Sequence, residues 1–348
     1  MPGNEESEDK DEDDRRLKIL NTYMPSTEVR IFNKSEELPD ISQDNFFHSK
    51  DLFVMMEQTP GCTPYMAVAY DADNNILGHL FAVVYRRGSL IPPYLYSNAR
   101  IYGEGEYSNG VDKNAVFGEL MQAFTRLFRR KMCLYIEFSN LSKKMFGYRH
   151  FRHQSYFPIR WTSIHNSLHS KAPIERIADK TKKRIDNTYE TGVVTREAKD
   201  EEEVLKFHSL LRRYYRFKFQ RFIPRKELFL QLWHSNHGRV YVTLYKDRII
   251  GGCTIVYSKS DAYMWYMAAR NKSHLLHHPR TMTIWNALED SYQKGYEHLR
   301  FMNAGLPFSK NPSREAILRF GGKPTSTFRW FRFPFGFINR FVRWFMKE

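Results

Sequence analysis

Apolar and polar positions alternate twice along this chain in the same order. Tyr65 to Tyr85 reads as an apolar strand, a polar turn, and then Ile76-Leu77-Gly78 opening a second strand. Arg239 to Tyr257 repeats that design, with Ile249-Ile250-Gly251 at the same place. Short apolar runs joined by a polar turn predict β-hairpins. The two triplets lie 173 positions apart, close to half the chain. Each hairpin is followed by a third strand, Tyr94–Ile101 and Tyr263–Ala269. The period then changes to that of a helix. In Val116–Arg130 the apolar positions are Phe117, Leu120, Met121, Phe124, Leu127 and Phe128; in Thr281–Lys294 they are Ile284, Trp285, Leu288 and Tyr292. A short strand closes each copy, Cys133–Phe138 and His298–Asn303. Helical sequence precedes the hairpins at Asp51–Gln58, Asp200–Lys218 and Arg225–His234. Asp200, with Glu201, Glu202 and Glu203 behind it, predicts a capped helix start.

Charge divides the 348 residues unevenly. The whole carries 54 Lys and Arg against 39 Asp and Glu, a net of +15, yet residues 1–14 hold eight acids and one Lys. That block predicts a solvated tail over 1–22 and leaves the remainder strongly basic. Arg or Lys interrupts every apolar run before the ~18 residues of a membrane span. The acidic start does not resemble a secretory signal, and Cys62, Cys133 and Cys253 are too few and too scattered for a disulfide framework. A cytoplasmic protein is expected. The last stretch, 335–347, places Ile338, Phe341, Val342 and Phe345 on one helical stripe and Arg340, Arg343 and Lys347 on the other. A basic amphipathic helix of that kind predicts peripheral contact with an anionic membrane, at its inner face.

Hairpin, strand, helix, strand, twice over, resembles two tandem GNAT acyltransferase units, as in the Fem-type branch of peptidoglycan-bridge aminoacyltransferases. Local sequence adds to the resemblance. After His278-Pro279 comes an apolar helix with Trp285, then Gly295, a strand ending Phe301-Met302-Asn303, and a closing Phe320-Gly321-Gly322. The basic stretch Ile174–Ile185 is similar to the helix that opens the Fem-type second domain. The resemblance implies an α/β (α+β) fold of two GNAT-like domains, each a mixed, mostly antiparallel sheet flanked by helices. They are expected at 23–172 and 173–333, before a C-terminal helix at 334–348. It also implies transfer of an acetyl or aminoacyl group to an amine of a small or cell-envelope-precursor acceptor. Acetyl-CoA and aminoacyl-tRNA are both open as donors. The alternative is a catalytically degenerate GNAT-fold protein that binds an anionic ligand, a lipid head group or nucleic acid. Fem-type transferases carry a Lys shortly before the closing Phe-Gly. This chain has Ala316-Ile317-Leu318-Arg319 there, which leaves Lys310, Arg314 and Arg319 as replacements.

Several groups of residues bear on that chemistry. Arg100-x-x-Gly103-x-Gly105 has the form of the GNAT pyrophosphate loop, in which glycines let backbone N–H groups approach phosphate. Arg270-Asn271-Lys272-Ser273-His274 at the matching place lacks glycine, so ordinary acetyl-CoA binding has little support in either half, and the ligand site is expected between the halves or on the second half, near Tyr263, Asn303, Lys310 and Arg314. Lys180, Lys183, Arg184, Arg213 and Arg216 gather cations near the middle of the chain, suited to an anionic substrate. Glu137 is the candidate carboxylate base, with Asn303 and Lys310 beside the acceptor. Tyr263, Trp265, Tyr266 and Arg314 are expected to line the substrate. His165 and His169 sit four apart, but Pro158 and Ile159 predict a strand there rather than a zinc-binding helix, and no metal is expected.

Overall fold

The two hairpins lie far apart in one continuous, twisted sheet. The computed structural model describes residues 27–88, 95–216, 222–302, 304–336 and 339. The first half contributes β1 (Glu28–Phe32), α1 (Lys50–Glu57), β2 (Cys62–Tyr70), β3 (Ile76–Gly88), β4 (Leu95–Tyr102) and the two-residue β5 (Glu106–Tyr107). It continues with α2 (Lys113–Arg130), β6 (Tyr135–Ser139), α3 (Tyr148–His153) and β7 (Phe157–Ser167). The second half contributes α4 (Asp179–Glu190), β8 (Val193–Glu197), α5 (Glu201–Tyr215), α6 (Lys226–His234), β9 (Gly238–Tyr245) and β10 (Arg248–Ser258). After them come β11 (Asp261–Ala269), α7 (Pro279–Gln293), β12 (His298–Phe301), α8 (Pro312–Arg319) and β13 (Lys323–Arg332). The order across the sheet is β1-β2-β3-β4-β6-β13-β7-β12-β11-β10-β9-β8, with β5 on β3. Each arm is an antiparallel meander that ends in one parallel pair, β4 with β6 and β11 with β12.

The halves exchange their last strands. β7, made by the first half, pairs with β12; β13, made by the second, pairs with β6. The two then pair with each other, from Lys323↔His165 to Phe331↔Phe157. Two separate sheets, as the repeat alone suggests, are therefore joined edge to edge. This covers the inner edge of each arm, while β1 and β8 remain the outer edges.

Helices form where the periodicity places them. Asp112 caps α2, its carboxylate accepting from Asn114 and Ala115 N–H, and the apolar stripe from Phe117 to Phe128 is buried against β2–β4. Asp200 caps α5 by accepting from Glu203 N–H, while the Glu203 carboxylate accepts from Lys199 N–H. The equivalent glycines of the repeat solve different contacts. A Cβ on Gly78 would lie 2.6 Å from the Tyr107 ring, because β5 crosses it; one on Gly251 would lie 2.8 Å from Thr283 Oγ1 of α7. One core packs α2 under the first arm and another packs α7 under the second. A third is shared, filling the space between the arms with α1, α5 and α6. No helix among the described residues is long and apolar enough to cross a membrane.

Candidate functional site

The two parallel strand pairs, equivalent by repeat, are paired at opposite ends. β11 pairs with β12 only at its start, from Asp261↔His298 to Met264↔Phe301, and Met302 N–H to Met264 O follows as the next bond. From Trp265 to Ala269 the strand runs on while the other chain departs. The register of β10 and β11 shifts between Thr254 and Ile255, so Trp265 is the extra residue of a β-bulge. Arg270 N–H bonds back to Ile250 O. By strand alternation the backbone groups of Met267 and Ala269 therefore face the opening. Tyr215 Oη, donating to Met267 O, marks that direction.

A cavity of about 730 Å³ fills the opening. Met264, Met267, Phe301 and Ile317 supply apolar walls, and Arg213, Arg270, Lys272, Arg280 and Lys310 supply five cations. No carboxylate lines it among the described residues. Five like charges without a compensating acid focus an anion. Two donors at the cavity, Trp265 Nε1 and Arg280 Nε, are buried with no partner among the described residues. Buried polar groups normally have one, so these mark a place for a ligand or water. Arg280 opens α7 behind Pro279, and the Asn271 side chain accepts its N–H at 3.1 Å. The positive end of the helix dipole thus lies at the same wall.

The opposite wall is the loop from Ala304 to Asn311. Arg314 organises it: its guanidinium donates to the carbonyls of Ala304, Leu306, Pro307 and Ser309. The Asn311 amide donates to Ala304 O, and its oxygen caps α8 by accepting from Ser313 and Arg314 N–H. Of the three replacements for the Fem-type lysine, Lys310 lines the cavity. Arg314, expected to touch substrate, has its donors committed to the loop, and Arg319 is exposed on α8.

Among the described residues the first half has no such opening. β4 and β6 stay paired from Asn98↔Tyr135 to the final Tyr102↔Ser139, and Gly103 N–H extends the ladder to Ser139 O at 2.7 Å. Gly105 N–H donates to His48 Nε2 at 3.1 Å, and Glu104 accepts from Ser142 N–H and Oγ. The expected phosphate loop is corrected: the N–H groups of Gly103 and Gly105 already serve the fold. Arg100 lies beneath, its Nε and Nη2 donating to Glu137 Oε2 at 3.0 and 2.8 Å. Glu137 is corrected as well. Its second oxygen accepts from Arg329 Nη1 at 3.0 Å, and the carboxylate is 2% exposed. Burial opposes ionisation, but the Arg100 and Arg329 guanidiniums outweigh it and hold the carboxyl below the usual range. A carboxylate so paired is held as an anion between two guanidiniums, with both oxygens occupied within the fold. Arg329 also donates to Met302 O at 3.0 Å and stacks 3.8 Å from the Trp161 ring centre. It thereby ties the start of the opening to the first half.

The other expected residues are spread out. Trp265 reaches the cavity, whereas Tyr263 packs edge-on against Phe47, and Tyr266 is buried against Phe229. Burial pushes the Tyr263 hydroxyl up to about 12. Lys180 and Lys183 are exposed on α4, Arg184 is half-buried there, and Arg216 ends α5 at the surface. Arg213, one turn earlier, is the member of that basic group that lines the cavity. Asn303, the acidic tail over 1–22, and nearly all of the basic stripe of 335–347 lie outside the described residues. His165 ends up on β7, and its ring and that of His169 meet His298, which faces Asp261 at 2.9 Å. Among the described residues no cluster of His, Cys, Asp and Glu has the makings of a metal site.

Comparison with known proteins agrees with this geometry. Residues 176–310 match the model of the acetyltransferase (GNAT) domain, a span that contains β11, α7 and β12. The structure of FemX superposes with a TM-score of 0.55 at 9% identity, over 92% of this chain and 100% of that one. A tandem GNAT protein of the clavulanic acid biosynthesis pathway gives 0.54 at 9% identity, over 88% and 99%. L-PGS from Bacillus licheniformis gives 0.52 at 10%, over 81% and 86%. No curated protein matches the chain in sequence. At such identities the likeness is one of fold. The chain thus has the tandem GNAT fold of these structures, and residues 176–310 of its second half match the GNAT acetyltransferase domain model.

Proposed function

We propose that the protein is an N-acyltransferase that holds a phosphate-bearing acyl donor in the second-half cleft and transfers the acyl group to an amine. The observation that carries this reading is the parting of β11 from β12 beside five cations and, among the described residues, no carboxylate. The amine attacks the acyl carbonyl carbon and a C–N bond forms. The C–S bond of a thioester, or the C–O bond of an aminoacyl ester, breaks, and the proton lost by the amine passes to the leaving group or solvent. Backbone N–H groups of Met267 and Ala269 are aimed where the oxyanion develops. Arg213, Lys272 and Lys310 hold the phosphates, which coenzyme A and the 3′ end of aminoacyl-tRNA have in common. The rate then comes from alignment rather than from a side-chain base.

A donor that binds only the native state raises the melting temperature, so a thermal-shift series with coenzyme A, acetyl-CoA and aminoacyl-tRNA tests the site. Replacing Arg213 and Lys310 by Ala removes two charge-assisted contacts and weakens donor binding about tenfold or more. Unchanged affinity in that pair removes the assignment. That no carboxylate lines the cavity among the described residues favours one other reading, a GNAT-fold binder without turnover. It predicts the same thermal shift and no acylated amine by mass spectrometry.

A further inference from the structure

The three most exposed large hydrophobic side chains among the described residues all stand on the two loops that wall the cleft. Leu275 and Leu276, 72% and 79% exposed, project from the loop between β11 and α7. Phe308, 72% exposed, projects from the loop between β12 and α8. Single exposed apolar residues are ordinary, and Leu95, Met132 and Met145 are such residues elsewhere; three grouped on the loops of one opening are not. The loops that present them are shaped. Ser273 and His274 N–H both bond to Arg270 O, Asn271 fastens the first loop to α7, and Arg314 with Asn311 fastens the second. Arg270, Lys272 and Lys310 stand on the same loops.

Apolar tips among cations are what a surface needs to sit at a lipid–water interface. The tips enter the acyl boundary while the cations meet anionic head groups. We propose that the mouth of the cleft seats on an anionic phospholipid bilayer, with Leu275, Leu276 and Phe308 entering the head-group region. A nucleic acid would use the cations but leave these three residues without a task. The inference rests on the acyl-transfer reading in one respect: a cleft seated this way draws a lipid-anchored substrate, here the amine acceptor, straight from the membrane surface.

The test is flotation of the full chain with vesicles of phosphatidylcholine alone and of phosphatidylcholine with phosphatidylglycerol. Binding is expected to the anionic vesicles. The triple variant Leu275→Ser, Leu276→Ser, Phe308→Ser should lose about tenfold or more of the partitioning, with its melting temperature unchanged. Another basic patch, Arg126, Arg129 and Arg130 beside Met132 and Phe335, provides the control. The pair Met132→Ser, Phe335→Ser should bind vesicles as the wild type does. Equal partitioning of the triple variant, loss in the control pair instead, or no binding by the wild type each overturns the proposal. Coenzyme A binding is measured without vesicles. A normal donor shift with no vesicle binding therefore sinks only the docking, and the reverse sinks only the donor assignment.

Discussion

Replacing Glu137 by Gln takes the negative charge out of a buried Arg–Glu–Arg triad. Its oxygens lie 2.8 Å from Arg100 Nη2 and 3.0 Å from Arg329 Nη1, and the three side chains are only 9%, 3% and 10% exposed. At an effective dielectric constant of about 20, each contact contributes roughly 4 kcal/mol of attraction, offset by the cost of desolvating the ions. After the substitution both guanidiniums stay buried, now repelling each other across a neutral amide. Removing one partner of a buried pair costs about 3–5 kcal/mol, against a total stability of about 5–15 kcal/mol. We therefore expect Glu137→Gln to lower the free energy of unfolding by that amount, read from the urea midpoint by tryptophan fluorescence. The triple variant Arg100→Met, Glu137→Leu, Arg329→Met should be more stable than the single one, because it leaves no unpaired charge. A loss below about 1 kcal/mol in Glu137→Gln would refute the view of Glu137 as a structural anion and reopen its candidacy as a base.

Two further outcomes follow from the site and its surroundings. Burial, then His79 and Lys259, push His48 down to about 3, so the folded chain keeps it neutral while the unfolded chain takes up a proton near 6.5. Stability accordingly falls as the pH drops below that value, by about 2 kcal/mol at pH 5 from this group, and chemical denaturation at pH 7 and 5 should show a smaller fall in His48→Gln. Arg314→Ala should weaken coenzyme A binding severalfold without losing a ligand contact, because the wall from Ala304 to Ser309 loses its fastening. Arg314→Lys should not rescue it, since an ammonium lacks the planar fork of donors, and normal affinity in either variant would show that the loop keeps its shape unaided.

Much of the fold is legible in the sequence because periodicity is local. The stripe from Phe117 to Phe128 and the cap at Asp200 need only neighbouring residues to be recognised, and both appear where the pattern puts them. The strand exchange depends on which edges meet across half the chain, and no short-range pattern encodes that. A site on the second half near Lys310 is legible in the polar loop after the last repeat strand, but the parting of the strands that opens it is not, for a related reason. Arg100-x-x-Gly103-x-Gly105 has the right letters, but whether β4 stays with β6 or parts from it is decided by register, and here they stay together. In the second half the cations Arg270, Lys272 and Arg280, packed between a strand and a helix start, are a signal the missing glycines obscured. The structure adds what the sequence does not show: β12 ends at Phe301, and its four residues cannot cover the nine of β11.

The crossing of β7 and β13 sets a timetable for synthesis. A ribosome delivers β6 and β7 while their central neighbour, β13, is still to be translated, so the first arm leaves the exit tunnel with an unpaired inner edge. That edge stays open until Lys323–Arg332 emerges, more than 150 residues after β7. Over that interval the nascent chain exposes the kind of strand that recruits other chains, and the closing contacts are among the most distant in the sequence. A chain cut after residue 172 would yield two pieces, each missing the strand that the other carries. They would complete the sheet only by finding each other.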